Sequence, residues 1–391
     1  MNQKNRVASI DILRGLVMVI MALDHVRDYF HFDAFFFDPL DLEQTNSALF
    51  WTRFVTHFCA PVFVFLAGTS AFFVSRRRTK RELSVWLLQR GFWLVVLEFT
   101  IVRFGWLFNF GYSQVFAGVI WILGLSMIIL AGLVYLPGRL VLAVSALAVV
   151  GHNAFDGFTP EGPIASLVWS FLHVRGFIDF AGFKLFSFAY PLMPWPFVMA
   201  LGFELGRLYS TDVDPAGRRR VLWQVGAACV AVFVLLRLVN VYGDPIPWSV
   251  QATPLFTVWS FFNVNKYPPS LLFLLITLGP ALIFLAISEN WRGRIADWLA
   301  TVGRVPLFFY VIHIYVIHAL GAIAAGATGY GAEGIVIDFW VTEQPELDGY
   351  GFNLGVVYLI WVAVVVALYP ACAWYDRYKM SHKDNRWLSY L

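Results

Sequence analysis

An arginine and a histidine stand eleven residues apart in the run Ser9–His25, SIDILRGLVMVIMALDH. Eleven steps of about 100° close to three turns, so a helix presents Arg14 and His25 on one face, roughly 16 Å apart. Asp11 precedes Arg14 by three residues and Asp28 follows His25 by three, so all four share one stripe. A neutral imidazole is the usual group for taking a proton near pH 7. Asp28, on the better face, or Asp24, turned about 100° away, would fix its tautomer and steady the imidazolium. Only nine uncharged residues separate Arg14 from Asp24, too few to cross a hydrocarbon core about 30 Å thick. Arg14 either snorkels to one interface with Asp24 and His25 at the other, or these groups face a protein interior or a water-filled cavity. Only the second reading accounts for the shared face.

Further polar groups sit in apolar surroundings. Arg53 and His57 are four apart on one helix face and suit the cavity of His25; an interfacial arginine and a carbonyl-bonded histidine would leave the same trace. Lys266 and Tyr267 lie in NKYPPS, which opens a helix with its prolines near the first turn, and a lysine there suits an anionic or carbonyl oxygen. His313 and His318 are five apart, about 140° around a helix, so one face cannot present both and a metal pair is disfavoured. His313, deeper in its helix, is the better cavity residue. Glu98 with Arg103, and Glu204 with Arg207, have the spacing of structural ion pairs. Arg76-Arg77-Arg78-Thr79-Lys80-Arg81 holds five basic residues in six, a cluster that orients helices and meets anionic lipid. If a phosphate-bearing donor binds nearby, the same cluster meets its phosphates, with Arg14, Arg90 and Arg304 as deeper anchors.

The elements that position these groups are membrane helices. Of 391 residues, 59% are hydrophobic and 14% charged, against about 25% charged in a soluble domain. The expected class is all-α, polytopic, in a single domain spanning residues 1–391. Ten apolar runs read as crossings: 8–30, 50–75, 84–107, 113–136, 138–154, 187–209, 219–241, 268–288, 303–325 and 353–376. The aromatic stretch 164–186 is broken by His173, Arg175, Asp179 and Lys184 and reads as interfacial or re-entrant. The first run follows MNQKNR without a small-residue cleavage site and reads as a retained helix. With both termini cytoplasmic, 18 of the 28 basic residues fall inside, including Lys4, Arg6, Lys383 and Arg386, while acids such as Asp33, Asp38 and Glu343 fall outside. Cys59, Cys229 and Cys372 are too far apart for a metal motif, and an odd count argues against a closed disulfide framework. There is no phosphate-binding glycine loop, and the basic residues, spread around helix ends, give no nucleic-acid surface.

Two resemblances follow from these residues. Arg14 and His25, as R-x(10)-H, resemble the first-helix motif of the acyltransferase type 3 superfamily of membrane sugar acyltransferases. The runs SIDILRGLVMVIMALDHVRDYF, ALFWTRFVTHFCAPVFVFLAGTSAF, NKYPPSLLFLLITLGPAL, GRVPLFFYVIHIYVIHAL and RWLSYL are similar to the bacterial heparan-alpha-glucosaminide N-acetyltransferase-like family. The resemblance implies transfer of an acyl group, acetyl by default, from acyl-CoA in the cytoplasm to a hydroxyl or amine of a sugar or glycan on the far side of the inner membrane. It implies Arg14 at the acyl-CoA and His25 at the chemistry; the reading of the residues adds Asp11, Arg90 and Arg304 to the first and Asp28 and Asp24 to the second. Arg53, His57, Lys266, Tyr267 and His313 then belong to the acceptor cavity, and no metal is needed. The animal lysosomal member carries asparagine where this chain has His25, so His31 is a second candidate for the base.

No serine or cysteine is paired with a histidine, which favours direct transfer over an acyl-enzyme. The competing class is a proton-coupled permease using Asp24, His25 and Asp28 as a relay. External aromatics (Phe35 to Phe37, Trp248, Trp259, Trp340) suit sugar stacking and interfacial belts equally. The acceptor's identity and the oligomeric state are left open.

Overall fold

The computed structural model describes residues 8–112, 114–180, 183–188, 190–338, 344–382, 384–385 and 388. Lys4, Arg6, Trp340, Glu343, Lys383 and Arg386 lie outside the described residues, and so does the side chain of Phe35. The chain runs as α1 (Ala8–Phe30), α2 (Ser47–Thr56), α3 (Cys59–Ser75), α4 (Lys80–Leu97), α5 (Arg103–Leu107), β1 (Gln114–Ala117), α6 (Val119–Leu133) and α7 (Gly138–Gly151). It continues as α8 (Pro163–Leu172), β2 (Phe177–Phe180), β3 (Phe183–Phe188), α9 (Trp195–Leu205), α10 (Pro215–Val239), α11 (Pro254–Phe262) and α12 (Leu271–Ser288). It closes with α13 (Arg294–Arg304), α14 (Pro306–Ala327) and α15 (Leu354–Ser381).

Local chemistry sets many of these boundaries. Asn46, Asp214, Thr253, Ser270 and Asn353 each accept a backbone N–H of the helix they precede. Thr79 and Glu82 form a reciprocal capping box at the start of α4. A π turn at Glu98–Val102 shifts the phase of the polypeptide between α4 and α5.

Among the described residues seven helical stretches are long and apolar enough to cross a membrane: Ser47–Ser75, Lys80–Leu107, Gly138–Phe155, Pro215–Val239, Leu271–Ser288, Pro306–Ala327 and Leu354–Ser381. Three of the ten expected crossings are not among them. Helix α1 has the length, at 23 residues, but its charges at both ends leave no sufficiently apolar window. The 113–136 run begins as strand β1, and Gly118 starts a helix of only 15 residues. In 187–209 the residues up to Phe188 belong to β3, and Pro194 and Pro196 confine the helix to eleven residues. The expected 303–325 helix is two, broken between Arg304 and Pro306. The stretch 164–186 makes the short helix α8 and an antiparallel hairpin of β2 and β3, pairing Phe177 with Ser187.

The chain divides into two compact units. The first holds residues up to Ile10, Ala60–Glu98 and Phe116–Trp291. Its main packings are α10 on α12, α4 on α6 and α7 on α9. Gly91 and Gly124 let α4 and α6 touch backbone to backbone, since a Cβ on either would stand 2.6 Å from the other's carbonyl oxygen. The second unit holds Asp11–Cys59, Phe99–Val115 and Arg292–Leu391, with α14 packed on α5, α13 and α15.

Candidate active site

In the second unit α1 meets α13 through two bare glycines. A Cβ on Gly15 would lie 1.9 Å from the Leu299 carbonyl oxygen, and one on Gly303 equally close to that of Asp11. Only glycine permits this approach, and it brings Arg14 to the end of α13. Arg14 donates to Asp11 at 3.2 Å and to the Gly303 carbonyl at 3.1 Å, a cation where the helix dipole is negative. The expected Asp11–Arg14 stripe is therefore an ion pair. Arg304, next along α13, donates to Thr301 and holds the buried Asp376 of α15 at 2.6–2.8 Å. Both arginines thus bind protein groups at one end of the unit. The Arg14 side chain keeps 13% of its surface exposed and Arg304 22%.

At the other end of α1 the carboxylates take arginine partners. Asp24 accepts Arg53 Nη1 through both oxygens at 2.7–2.8 Å, Thr56 Oγ1 at 3.0 Å and Arg27 Nη2 at 3.0 Å. Asp28 accepts Arg27 Nη2 at 2.6 Å, so the residue expected to orient His25 is bound to its own chain neighbour. Asp24, Arg27 and Asp28, all buried, and the partly exposed Arg53 form a tetrad of zero net charge. Such burial is tolerable because each charge is paired in close geometry. His57 is buried at the break between α2 and α3, with its ring beside Phe54.

His25 finds its partner 288 residues away. Its Nδ1 lies 2.7 Å from His313 Nε2, with the rings stacked at 4.9 Å between centroids. His313 Nδ1 lies 2.9 Å from the Phe309 carbonyl oxygen one turn back on α14. A carbonyl only accepts, so His313 Nδ1 must carry a proton. With both rings neutral, His313 Nε2 then accepts from His25 Nδ1–H, and the lone pair of His25 falls on Nε2. Trp106 stands edge-on to the His25 ring at 4.6 Å, and its carbonyl receives the Tyr29 hydroxyl at 2.5 Å. Tyr310 approaches the same ring at 6.4 Å.

The second candidate base is arranged differently. His31 is buried just past α1, and its Nδ1 accepts the Asp33 backbone N–H at 3.2 Å. Burial, with the Arg27 guanidinium nearby, pushes its pKa down from 6.5 to about 4. The neutral ring therefore carries its proton on Nε2 and has its lone pair already engaged. His318, five residues beyond His313, has Nδ1 at 2.8 Å from the Gly105 carbonyl and Nε2 at 2.7 Å from that of Ile335. It clamps backbone to backbone, and Phe108 stacks on it at 3.7 Å.

The remaining candidates, Arg103 of the second unit apart, belong to the first unit. Arg90 and Arg78 each lie near the Trp86 ring, at 5.7 and 5.8 Å. Lys266 is buried with its ammonium 5.1 Å from the Tyr267 ring, which Arg175 also approaches at 5.5 Å. Ser270 is the cap of α12, so Pro268 and Pro269 precede the helix rather than enter its first turn. The loop before Lys266 is held by Arg237, which donates to the carbonyls of Ile246, Ser260, Phe261 and Asn263, and by Asp244, which accepts from Asn265 and Ser270. Glu98 accepts the Trp121 N–H, while Arg103 donates to the carbonyls of Asn109 and Gly111, so the expected Glu98–Arg103 pair is replaced by two backbone anchors. Glu204 and Arg207 do pair, at 2.5 Å.

Sequence reasoning missed Arg27, Thr56, Trp106 and Phe309. Arg27 carried a signal, lying three residues after one acid and beside another. The others act through backbone carbonyls or across long separations, which residue type does not announce. His313, chosen for its depth, is brought to His25; Asp28, chosen for its face, is not.

Among curated proteins none matches the chain. Residues 6–237 match the family described as heparan-alpha-glucosaminide N-acetyltransferase, catalytic. That span, well over half the chain, holds Arg14, Asp24, His25, Asp28, Arg53, His57 and Arg90, whereas Lys266, Arg304 and His313 lie beyond it. Matched over that span and built mostly of helices suited to a membrane, the chain belongs to the heparan-alpha-glucosaminide N-acetyltransferase catalytic family.

Proposed function

We propose that this protein is a single-domain acyltransferase of the inner membrane, both termini cytoplasmic, that moves an acetyl group from acyl-CoA to a hydroxyl or amine of a sugar on the opposite face. The observation that carries the reading is the hydrogen-bond chain His25–His313–Phe309 carbonyl. It aims the His25 lone pair away from His313 and gives the imidazolium a fixed acceptor for its Nδ1 proton.

In this reading His25 Nε2 takes the acceptor's proton as its oxygen or nitrogen attacks the thioester carbonyl. The tetrahedral intermediate collapses, the carbon–sulfur bond breaks, and the proton passes from His25 to the departing thiolate. His313 keeps the ring from rotating throughout. Asp24 and Asp28 act at one remove, neutralising Arg53 and Arg27 so that the turn bearing His25 is held without net charge. Arg14 and Arg304, with Asp11 setting the orientation of Arg14, face the donor's phosphates at the other end of α1, roughly 16 Å away by the helical rise. Arg53 and His57 line the acceptor side.

Against the permease alternative stands the pairing of Asp24 and Asp28 with arginines. The deciding experiment uses proteoliposomes with acetyl-CoA on one side and an amino-sugar panel on the other. Acetylated acceptor and stoichiometric free CoA are expected, with a fall of about 10²–10⁴ in rate for His25→Gln. Proton-driven sugar uptake without thioester cleavage would overturn the reading.

A further inference from the structure

Away from the histidines, the first unit contains a cavity of about 270 Å³ where the ends of α3, α4, α6, α7 and α9 converge. Its floor is apolar: Phe72, Leu83, Leu130, Val141 and Phe203, all buried, with the half-buried Leu133 at the end of α6. Its rim is polar and is formed by residues at the helix ends themselves, namely Ser75, Arg78, Lys80, Glu204 and Arg207. The rim is electropositive. Glu204 is already matched by Arg207, and Gly138 makes room for that pair, since a Cβ there would stand 2.5 Å from the guanidinium. Arg78 and Lys80 come from the run with five basic residues in six, and Lys80 spends one N–H on the Tyr135 carbonyl.

We propose that this cavity binds an anionic phospholipid drawn from the leaflet that meets the basic helix ends. The phosphate would sit between Arg78 and Lys80, and the start of an acyl chain would occupy the floor. Apolar voids do not hold water, so a floor of this composition calls for hydrocarbon. Basic side chains at a membrane surface favour anionic headgroups. Charge complementarity and an apolar floor are both needed, and the lining offers a ribose or purine little beyond the single Ser75 hydroxyl. The site is independent of the acyl-transfer reading.

The test titrates delipidated full-length protein in mixed micelles with fluorescent phosphatidylglycerol and, separately, phosphatidylcholine. Phosphatidylglycerol is expected to bind at least tenfold tighter. The double variant R78Q/K80Q should lose about thirtyfold, from roughly fivefold per basic side chain at an anionic surface. Val141→Phe, which fills the floor without touching the rim, should weaken binding with all charges intact. R76Q/R77Q removes equal charge beside the cavity and should change little. Equal binding of the two lipids overturns the proposal, as does an equal loss in R76Q/R77Q, which would mean diffuse attraction. Competition by free CoA would reassign the site to the donor's phosphates and also overturn it. If Val141→Phe misfolds, Leu133→Phe serves the same purpose.

Discussion

His313 and His318 share one helix, lie five residues apart and are both fully buried, yet they are built for different work. His318 faces a backbone carbonyl with each nitrogen, so its ring is a brace between Gly105 and Ile335. His313 gives one nitrogen to a carbonyl and the other to His25. Burial and residue type are equal; the partner of the second nitrogen separates brace from relay. The same test sorts His31, whose Nδ1 caps a turn, away from His25. A buried histidine earns a chemical role only when its hydrogen bonds leave or direct a lone pair.

The largest disturbance to this contrast comes from removing the frame around His25. Arg53→Leu leaves the Asp24–Arg27–Asp28 cluster with an uncompensated negative charge and should cost about 3–5 kcal/mol of stability. Chemical denaturation in detergent reads it, and the double variant with Asp24→Asn should recover part of the loss.

His318→Phe should come next. It removes the ring held between the Gly105 and Ile335 carbonyls, of which a neutral imidazole satisfies one, and should cost about 1–3 kcal/mol, measured by thermal unfolding. The folded fraction should keep its specific activity, since the brace touches no reacting group. A loss of turnover in well-folded protein would erase the distinction from His313.

His31 provides the smallest effect and a sign. Its folded pKa of about 4 lies below its ordinary 6.5, so between those values the unfolded chain binds more protons than the folded one. Stability from this group is therefore whole above 6.5 and is lost as pH falls toward about 4. His31→Gln should flatten that part of the stability–pH curve while transfer activity persists. Abolished transfer would move the base from His25 to His31.

How much of this was legible varies with the range of the interactions. Asp11 and Arg14, three apart on a helix, were readable and do pair. The rotation that put Asp28 on the face of His25 was sound geometry, but Arg27 competes for the carboxylate at closer range and wins. The His25–His313 contact spans 288 residues and lies partly beyond the family match, so spacing could not reveal it. The expected count of crossings exceeds the seven long apolar helices of the described residues, in part because apolar composition concealed Gly118, Pro194 and Pro196, at which helices start late. The Gly15–Gly303 approach was invisible for another reason: a glycine's partner is a backbone, which every sequence possesses.

The central claim is that His313 sets the tautomer of His25 for acyl transfer. The direct measurement compares His313→Phe with His313→Gln in proteoliposomes, following acceptor acetylation at saturating acetyl-CoA. Phenylalanine removes the acceptor of the His25 Nδ1 proton and should lower kcat about tenfold or more with the KM for acetyl-CoA little changed. Glutamine, whose amide oxygen can accept that proton, should restore most of the rate. Wild-type kcat in His313→Phe, or equal loss in both variants despite intact folding, would contradict the account.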